Sequence, residues 1–428
     1  MTVYNVVEFG ADRTGKKLNT AVLSHLIEKC QVEGGGELYF PAGKYLTGTV
    51  ELKDNLVLNI SAGASLIFSD NPADHKIIKH RWEGEDCLVY SPLIYGKNIK
   101  NVTICGRGII DGQGKRWWDN FLDNKLEYPR PRTISFVDAE DILIEGIKII
   151  NSPAWTINPL KSKNITIEKV SIRNPADSPN TDGINPSSCQ NVHIANCHID
   201  VGDDCITIKS GTEKSQELIA SKNITITNCT MVHGHGGVVI GSEMSGSVRN
   251  VAISNCIFNN TDRGIRLKSR RGRGGVVENI VAANLVMSEV YVPIVMNLYY
   301  FCGAGGKSDF VQAEADQQLT EFTPVFKDIY FNNIRASKVK SRAIFLQGLP
   351  ESPLQDIWFD NVSITMSKAA KPFKAAMMSN LMPEKLKGVY CNNYQNIIFD
   401  NVQIKGVAGA KFEVSNGKKA KFLGITAQ

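Results

Sequence analysis

A short phrase recurs through most of this chain: Asn or Asp followed by alternating apolar residues. It begins at Asn101, Asp141, Asn164, Asn191, Asn223, Asn250, Asn279, Asp328, Asp356 and Asn396, so most starts lie 23–32 residues apart and the longer gaps leave room for loops. A repeat of this kind constrains the fold more than any other feature. Each unit is one supersecondary element that buries its apolar face only by stacking on the next.

Within each phrase the apolar residues alternate with polar ones, as in Ile224, Thr225 and Ile226, which reads as a half-buried strand. A second short strand recurs in most units, around Ile157, Ile184, Ile206, Val238, Ile265, Ile294 and Ile344. Short strands of one orientation, repeated with almost no helical periodicity, predict an all-β chain folded as a parallel β-helix whose turns stack at ~4.8 Å. A leucine-rich or propeller repeat lacks support, since no LxxLxL string and no repeating Trp-Asp blade signature supports either. Cys197, Cys229 and Cys256 hold one place in three units, each after an Asn, and read as a ladder of small buried residues. The recurrent Asn reads as turn chemistry, its amides bonding the backbone between turns.

The N-terminus departs from the repeat. Between about 17 and 33, Val22, Leu23, Leu26, Ile27 and Cys30 share one helical face, and Gly34, Gly35 and Gly36 stop the helix. Such a helix would cap the open end of the solenoid. The stretch 302–322 is polar and reads as an inserted loop, as does 112–131. No Pro- or Ser-rich linker interrupts the chain, so a single domain over 1–428 is expected.

Composition excludes several classes. With 43% hydrophobic and 21% charged residues the chain is not disordered. No run of ~18 apolar residues exists to form a membrane helix. The first residues, Met1 to Lys17, show no basic segment followed by an apolar one, and a cytoplasmic location is expected, or a secreted or periplasmic one if a leader was removed. Ten cysteines include no C-x-x-C pair, so zinc of the usual spacing is not expected. The net charge of +5 allows an anionic ligand without demanding nucleic acid. The basic run Arg263, Arg266, Lys268, Arg270, Arg271 and Arg273 has no interleaved aromatic platform and reads as a solvated turn beside an anionic-substrate cleft.

Aligning the second strands on Ile184, Ile206, Val238 and Ile265 exposes a chemical register. Asp182 and Asp204 fall two places before the reference residue, Asp203 and His235 three places before, and Arg266 and Lys268 one and three places after. Equal offset means neighbours up the stack, so the six should gather on one face of successive turns. Three clustered carboxylates repel, which raises the pKa of at least one. An acid beside an ionised carboxylate is what glycosidic cleavage needs, and the cationic pair suits a substrate carrying a carboxylate.

At these residues the chain resembles a family. Asn180-Thr-Asp-Gly183, Gly202-Asp-Asp204, Gly234-His-Gly236 and Arg266-Leu-Lys268 resemble, in order and spacing, the four motifs of the polygalacturonases, glycoside hydrolase family 28. The resemblance extends over roughly 5–400, with Leu267 in place of the more usual Ile. It implies a right-handed parallel β-helix and an inverting hydrolase of α-1,4-galacturonan. It implies Asp203 as general acid, Asp182 and Asp204 as holders and deprotonators of water, and His235 as support for the acid. Arg266 and Lys268 would bind the galacturonate carboxylate, and Asn180 would shape the cleft. It implies no metal and no cofactor, unlike the calcium-dependent pectate lyases of the same fold. The partner is then a galacturonate oligomer or pectin-derived polysaccharide, with neither nucleic acid nor membrane. The segment 236–246 resembles bacterial exo-acting members, which implies release of galacturonic acid from the non-reducing end. The alternatives are endo action, a rhamnogalacturonan-type hydrolase, or a non-catalytic carbohydrate-binding β-helix adhesin.

Overall fold

A computed structural model describes residues 2–424. The chain divides into two compact units, with the boundary between Asp203 and Asp204. Each unit is a stretch of right-handed parallel β-helix.

In the first unit the strands Thr2–Asn5 and Thr14–Leu18 precede the helix Thr20–Val32, which buries Leu23, Leu26, Ile27 and Cys30 and leaves Val22 partly exposed. It ends where Gly34 and Gly35 take φ of +83° and +139°, backbone that glycine enters without strain. Gly36 must also be small, because a Cβ there would lie 2.4 Å from the Cys30 sulfur. The recurrent phrases then form parallel strands Lys100–Gly106, Glu140–Glu145, Lys163–Glu168 and Gln190–Ala195, stacked on the earlier strand Leu56–Ile60. Their register stacks Leu58, Ile104, Ile144, Ile167 and Ile194, all fully buried. Full burial of each such side chain stabilises by roughly 1.5–3 kcal/mol. A second set stacks Val50–Glu51, Ile94–Lys97, Ile134–Val137 and Ile157–Leu160, and Ile184 bridges to Ile157. Two elements in this unit lie outside the repeat and were not anticipated: the antiparallel hairpin Ile77–Trp82 with Glu85–Tyr90, and the helix Gly114–Leu122, where a loop was expected. That helix buries Trp117 and Trp118, a spacing too short to stand out as a periodic pattern.

In the second unit the phrases become the strands Ser221–Thr227, Val248–Ser254, Val276–Ser288, Val325–Val339, Leu354–Met366 and Lys387–Lys405. Phe331, Phe359, Phe399 and Phe422 form a stacked ladder with ring centroids 4.9–5.4 Å apart. The second strands pair Ile206 with Val238, Val238 with Ile265, Ile265 with Ile294 and Ile294 with Ile344, which is the register the sequence alignment used for Ile206, Val238 and Ile265. Residues 302–322 carry one short helix, Asp309–Gln312, capped by the Ser308 hydroxyl. Cys229 and Cys256 are buried, and contact with Cys229, together with burial, pushes the Cys256 thiol up.

The asparagine ladder works differently from the expectation. Asn223, Asn250 and Asn279 sit at φ of +58°, +57° and +54°, a left-handed conformation that most L residues enter only at ~1–2 kcal/mol. Their amides bond side chain to side chain from turn to turn: Asn250 Nδ2 donates to Asn223 Oδ1 at 3.0 Å, and Asn279 Nδ2 to Asn250 Oδ1 at 2.9 Å. The first unit repeats the pattern from Asn191 to Asn164 and from Asn164 to Asp141.

Candidate active site

In the first unit, Asp182 and Asp203 stand at the ends of two different turns, and a carboxylate oxygen of each lies within 4.8 Å of the other. Asp182 is 3% exposed, and its Oδ2 accepts from Asn185 Nδ2 at 2.9 Å. Its carbonyl accepts from the Thr156 N–H at 2.8 Å, which ties the turn to the coil below. Asp203 is only partly buried. Gly202 sets its approach, since a Cβ there would lie 2.4 Å from the Ser178 carbonyl oxygen. Asn180, at φ +53°, accepts from Arg130 Nη2 at 2.6 Å.

In the second unit, Asp204 is 1% exposed and carries two cationic partners. Lys268 Nζ lies 2.8 Å from Oδ2 and Arg266 Nη1 lies 3.3 Å from Oδ1. Burial alone would raise the Asp204 carboxyl. The Lys268 ammonium and Arg266 guanidinium, with Lys209, overcome that and hold it well below the usual carboxylate range. The Tyr300 ring lies 5.2 Å from Lys268 Nζ and 5.8 Å from the Arg266 guanidinium. Asp204 thus gives Arg266 and Lys268 a carboxylate partner within the protein, and both are buried rather than part of a solvated turn.

The rest of the basic run is also not a solvated turn. Arg263 donates to the Lys374 and Ala375 carbonyls, Arg270 and Arg273 pair with Glu213, and Arg271 pairs with Glu351. Nearby, Lys209 and Glu243 form a buried pair at 2.7 Å. Burial would raise Glu243, and the Lys209 ammonium, with Arg273, draws it down to about 2.

His235 is half-exposed, and its Nδ1 lies 2.9 Å from Asp262 Oδ2. Asp262 fixes the ring's orientation and was missed in the sequence reading. It lies three places before Ile265, the same offset that singled out Asp203 and His235, so the alignment already held the signal. Arg130 was missed for a different reason: its partners come from separate loops and share no register.

The chemistry available is therefore a close carboxylate pair in one unit, and a carboxylate held ionised by two cations beside an oriented imidazole in the other. Known proteins are similar to this chain in sequence and in fold. The chain is 35% identical over 379 residues to a probable polygalacturonase of Vitis vinifera, covering 86% of this chain and 75% of that one. It is 25% identical to an exo-poly-alpha-D-galacturonosidase of Dickeya chrysanthemi, covering 94% and 71%. The crystal structure of a hyperthermoactive exopolygalacturonase from Thermotoga maritima matches with a TM-score of 0.77 and 29% identity, over 94% of this chain and 92% of that one. The profile of glycosyl hydrolases family 28 matches residues 30–381, a span that takes in every carboxylate, the histidine and the cationic strand described above, and the chain belongs to that family of glycoside hydrolases.

Proposed function

We propose that this enzyme hydrolyses the α-1,4 bonds of galacturonan, acting on oligogalacturonates from the non-reducing end and releasing galacturonic acid. The observation that carries the hydrolytic reading is the Asp182–Asp203 pair, with oxygens within 4.8 Å. Two carboxylates this close favour one protonated and one ionised member. Asp203, the more accessible, protonates the leaving oxygen. Asp182, tethered to Asn185, holds water and, with the ionised Asp204, takes its proton. His235, braced by Asp262, supports the protonated acid. Arg266 and Lys268 engage the sugar carboxylate through donors beyond those Asp204 takes, and Asn180 shapes the cleft. The exo reading rests on the exo-acting relatives from Dickeya and Thermotoga and on the 236–246 segment.

Inversion rests on the family resemblance. The general spacing rule gives ~6.5–9.5 Å between carboxyl groups for inversion and ~5–5.5 Å for retention, and one oxygen of each carboxylate here lies within 4.8 Å of the other, so the stereochemistry is tested directly. The test uses trigalacturonate and polygalacturonate in chelator. Asp203→Asn should lose ~10²–10⁴-fold in rate while remaining folded. NMR of the first-formed product decides the stereochemistry: an inverted anomer supports the scheme, and a retained one assigns a carboxylate as nucleophile. A ladder of mid-sized products from polygalacturonate would replace exo with endo action.

A further inference from the structure

We propose that Arg130 is a positioning residue for the hydrolytic carboxylates: it pins the Pro179–Asn180 turn that presents Asp182 and sets a fixed positive charge within electrostatic reach of Asp182 and Asp203. This rests on the catalytic reading of those two carboxylates given above.

Arg130 is 1% exposed, among the largest fully buried side chains in the molecule. Its guanidinium draws three segments together. Nη1 donates to the Pro153 carbonyl at 3.0 Å and to the Pro179 carbonyl at 2.7 Å, and Nη2 donates to Asn180 Oδ1 at 2.6 Å. The Phe121 ring packs 3.9 Å from the guanidinium carbon and closes its face. Asn180 is left-handed, two residues before Asp182. A turn in that conformation, with its side chain held by a rigid planar fork, has little freedom to shift the following carboxylate. Pro153 lies on the preceding turn, so the fork also fixes the distance between coils at this point.

The charge is retained despite burial. Desolvation draws the guanidinium down to about 10, opposed by Glu83, Asp182 and Asp203, which are the charged groups facing it. Asp204 follows Asp203 directly in the chain and has Lys268 and Arg266 as its own counter-charges. At neutral pH Arg130 is therefore a cation, and a nearby cation favours the ionised form of a carboxylate. Lysine keeps the charge but cannot reproduce a planar fork that reaches three acceptors.

The two roles separate in variants. The measurement is the pH profile of kcat and KM on oligogalacturonate for wild type, Arg130→Lys and Arg130→Gln, with Asp203→Asn in parallel. Displacing Asp182 should lower kcat by ~10–100-fold in both Arg130 variants, with KM within a few-fold. Losing the cation raises the carboxylates it faces, so the acidic limb should move to higher pH in Arg130→Gln, by roughly half to one unit, and stay near wild type in Arg130→Lys. A purely structural residue would lower the melting temperature and leave that limb in place. An unmoved limb in folded Arg130→Gln, or unchanged kcat in Arg130→Lys, overturns the proposal. If Arg130→Gln does not fold, kcat of Arg130→Lys decides alone. Full activity in Asp203→Asn removes the catalytic reading itself. An inactive Asp203→Asn beside unaffected Arg130 variants removes only the role of Arg130.

Discussion

Two kinds of strand run through each unit, and they bury their residues differently. Ser221–Thr227 and Val248–Ser254 alternate, with Ile224, Ile226, Val251 and Ile253 inside and Thr225 and Ala252 exposed. Ile206–Ile208, Val238–Ile240 and Arg263–Lys268 are buried at every residue, although the last carries three cations. The first unit repeats the contrast between the alternating Lys163–Glu168 and the wholly buried Ile157–Leu160. The alternating strands have solvent on their outer face. The others are buried on both faces, and Arg263–Lys268 is covered by the 374–377 segment, which accepts from Arg263 and packs Met377 on Arg266. Polar groups on a face covered in this way are desolvated and must find partners, which gives a charge there far more leverage than on an open face.

The most severe way to break the contrast is to strand a charge on the covered face. Lys268→Ala removes the nearer of the two cations paired with buried Asp204, and should destabilise the fold by about 3–5 kcal/mol in urea unfolding. Restoring neutrality with Asp204→Asn in the same chain should return part of that loss. Purely additive losses in this double-mutant cycle would show that the pair is not coupled.

Acid offers a slightly milder probe of the same face. Glu243 drops from 4.5 to about 2 in the folded state, so its contribution is full above its unfolded pKa and vanishes as pH falls toward 2. That is roughly 3 kcal/mol lost on the acid side. In Lys209→Met the loss should begin at higher pH, because the counter-charge is gone. Identical acid-unfolding midpoints for the two proteins would sink this account.

On the open face the effects should shrink. Asn250→Ala keeps the left-handed turn without the amide and should cost more than Asn250→Gly, which relieves a backbone term of about 1–2 kcal/mol and loses only the two exposed ladder bonds. A glycine variant no more stable than the alanine one would show that the left-handed backbone costs nothing at this corner. Smallest of all, Ala252→Thr on the exposed side of its strand should stay within about 0.5 kcal/mol of wild type by thermal melting. A large loss there would mean that this face is covered too.

The strands were legible because each needs only local information. Ile206, Val238 and Ile265 announce their register by period and by repeat, and the offsets carried by that register picked out Asp182, Asp203, Asp204, His235, Arg266 and Lys268. Asp262 obeyed the same offset and was overlooked. The hairpin Ile77–Trp82 with Glu85–Tyr90 and the helix Gly114–Leu122 were not legible, because they belong to insertions that the repeat does not constrain.

The sequence by itself determined the coil: a period of two within strands and a recurring Asn at each corner leave the apolar residues one place to go. It also determined the family, through motifs held in one register. Only the tertiary structure decided which charge answers which. Arg266 and Lys268 share a strand face by parity, but parity does not say that Asp204 lies 2.8 Å from one and 3.3 Å from the other. Arg130 has no place in any repeat, yet it joins Pro153, Pro179 and Asn180 through one guanidinium. Register is a one-dimensional property of the chain. Pairing of buried charges depends on distances and desolvation set by loops that close over the coil, and those exist only once the chain has folded.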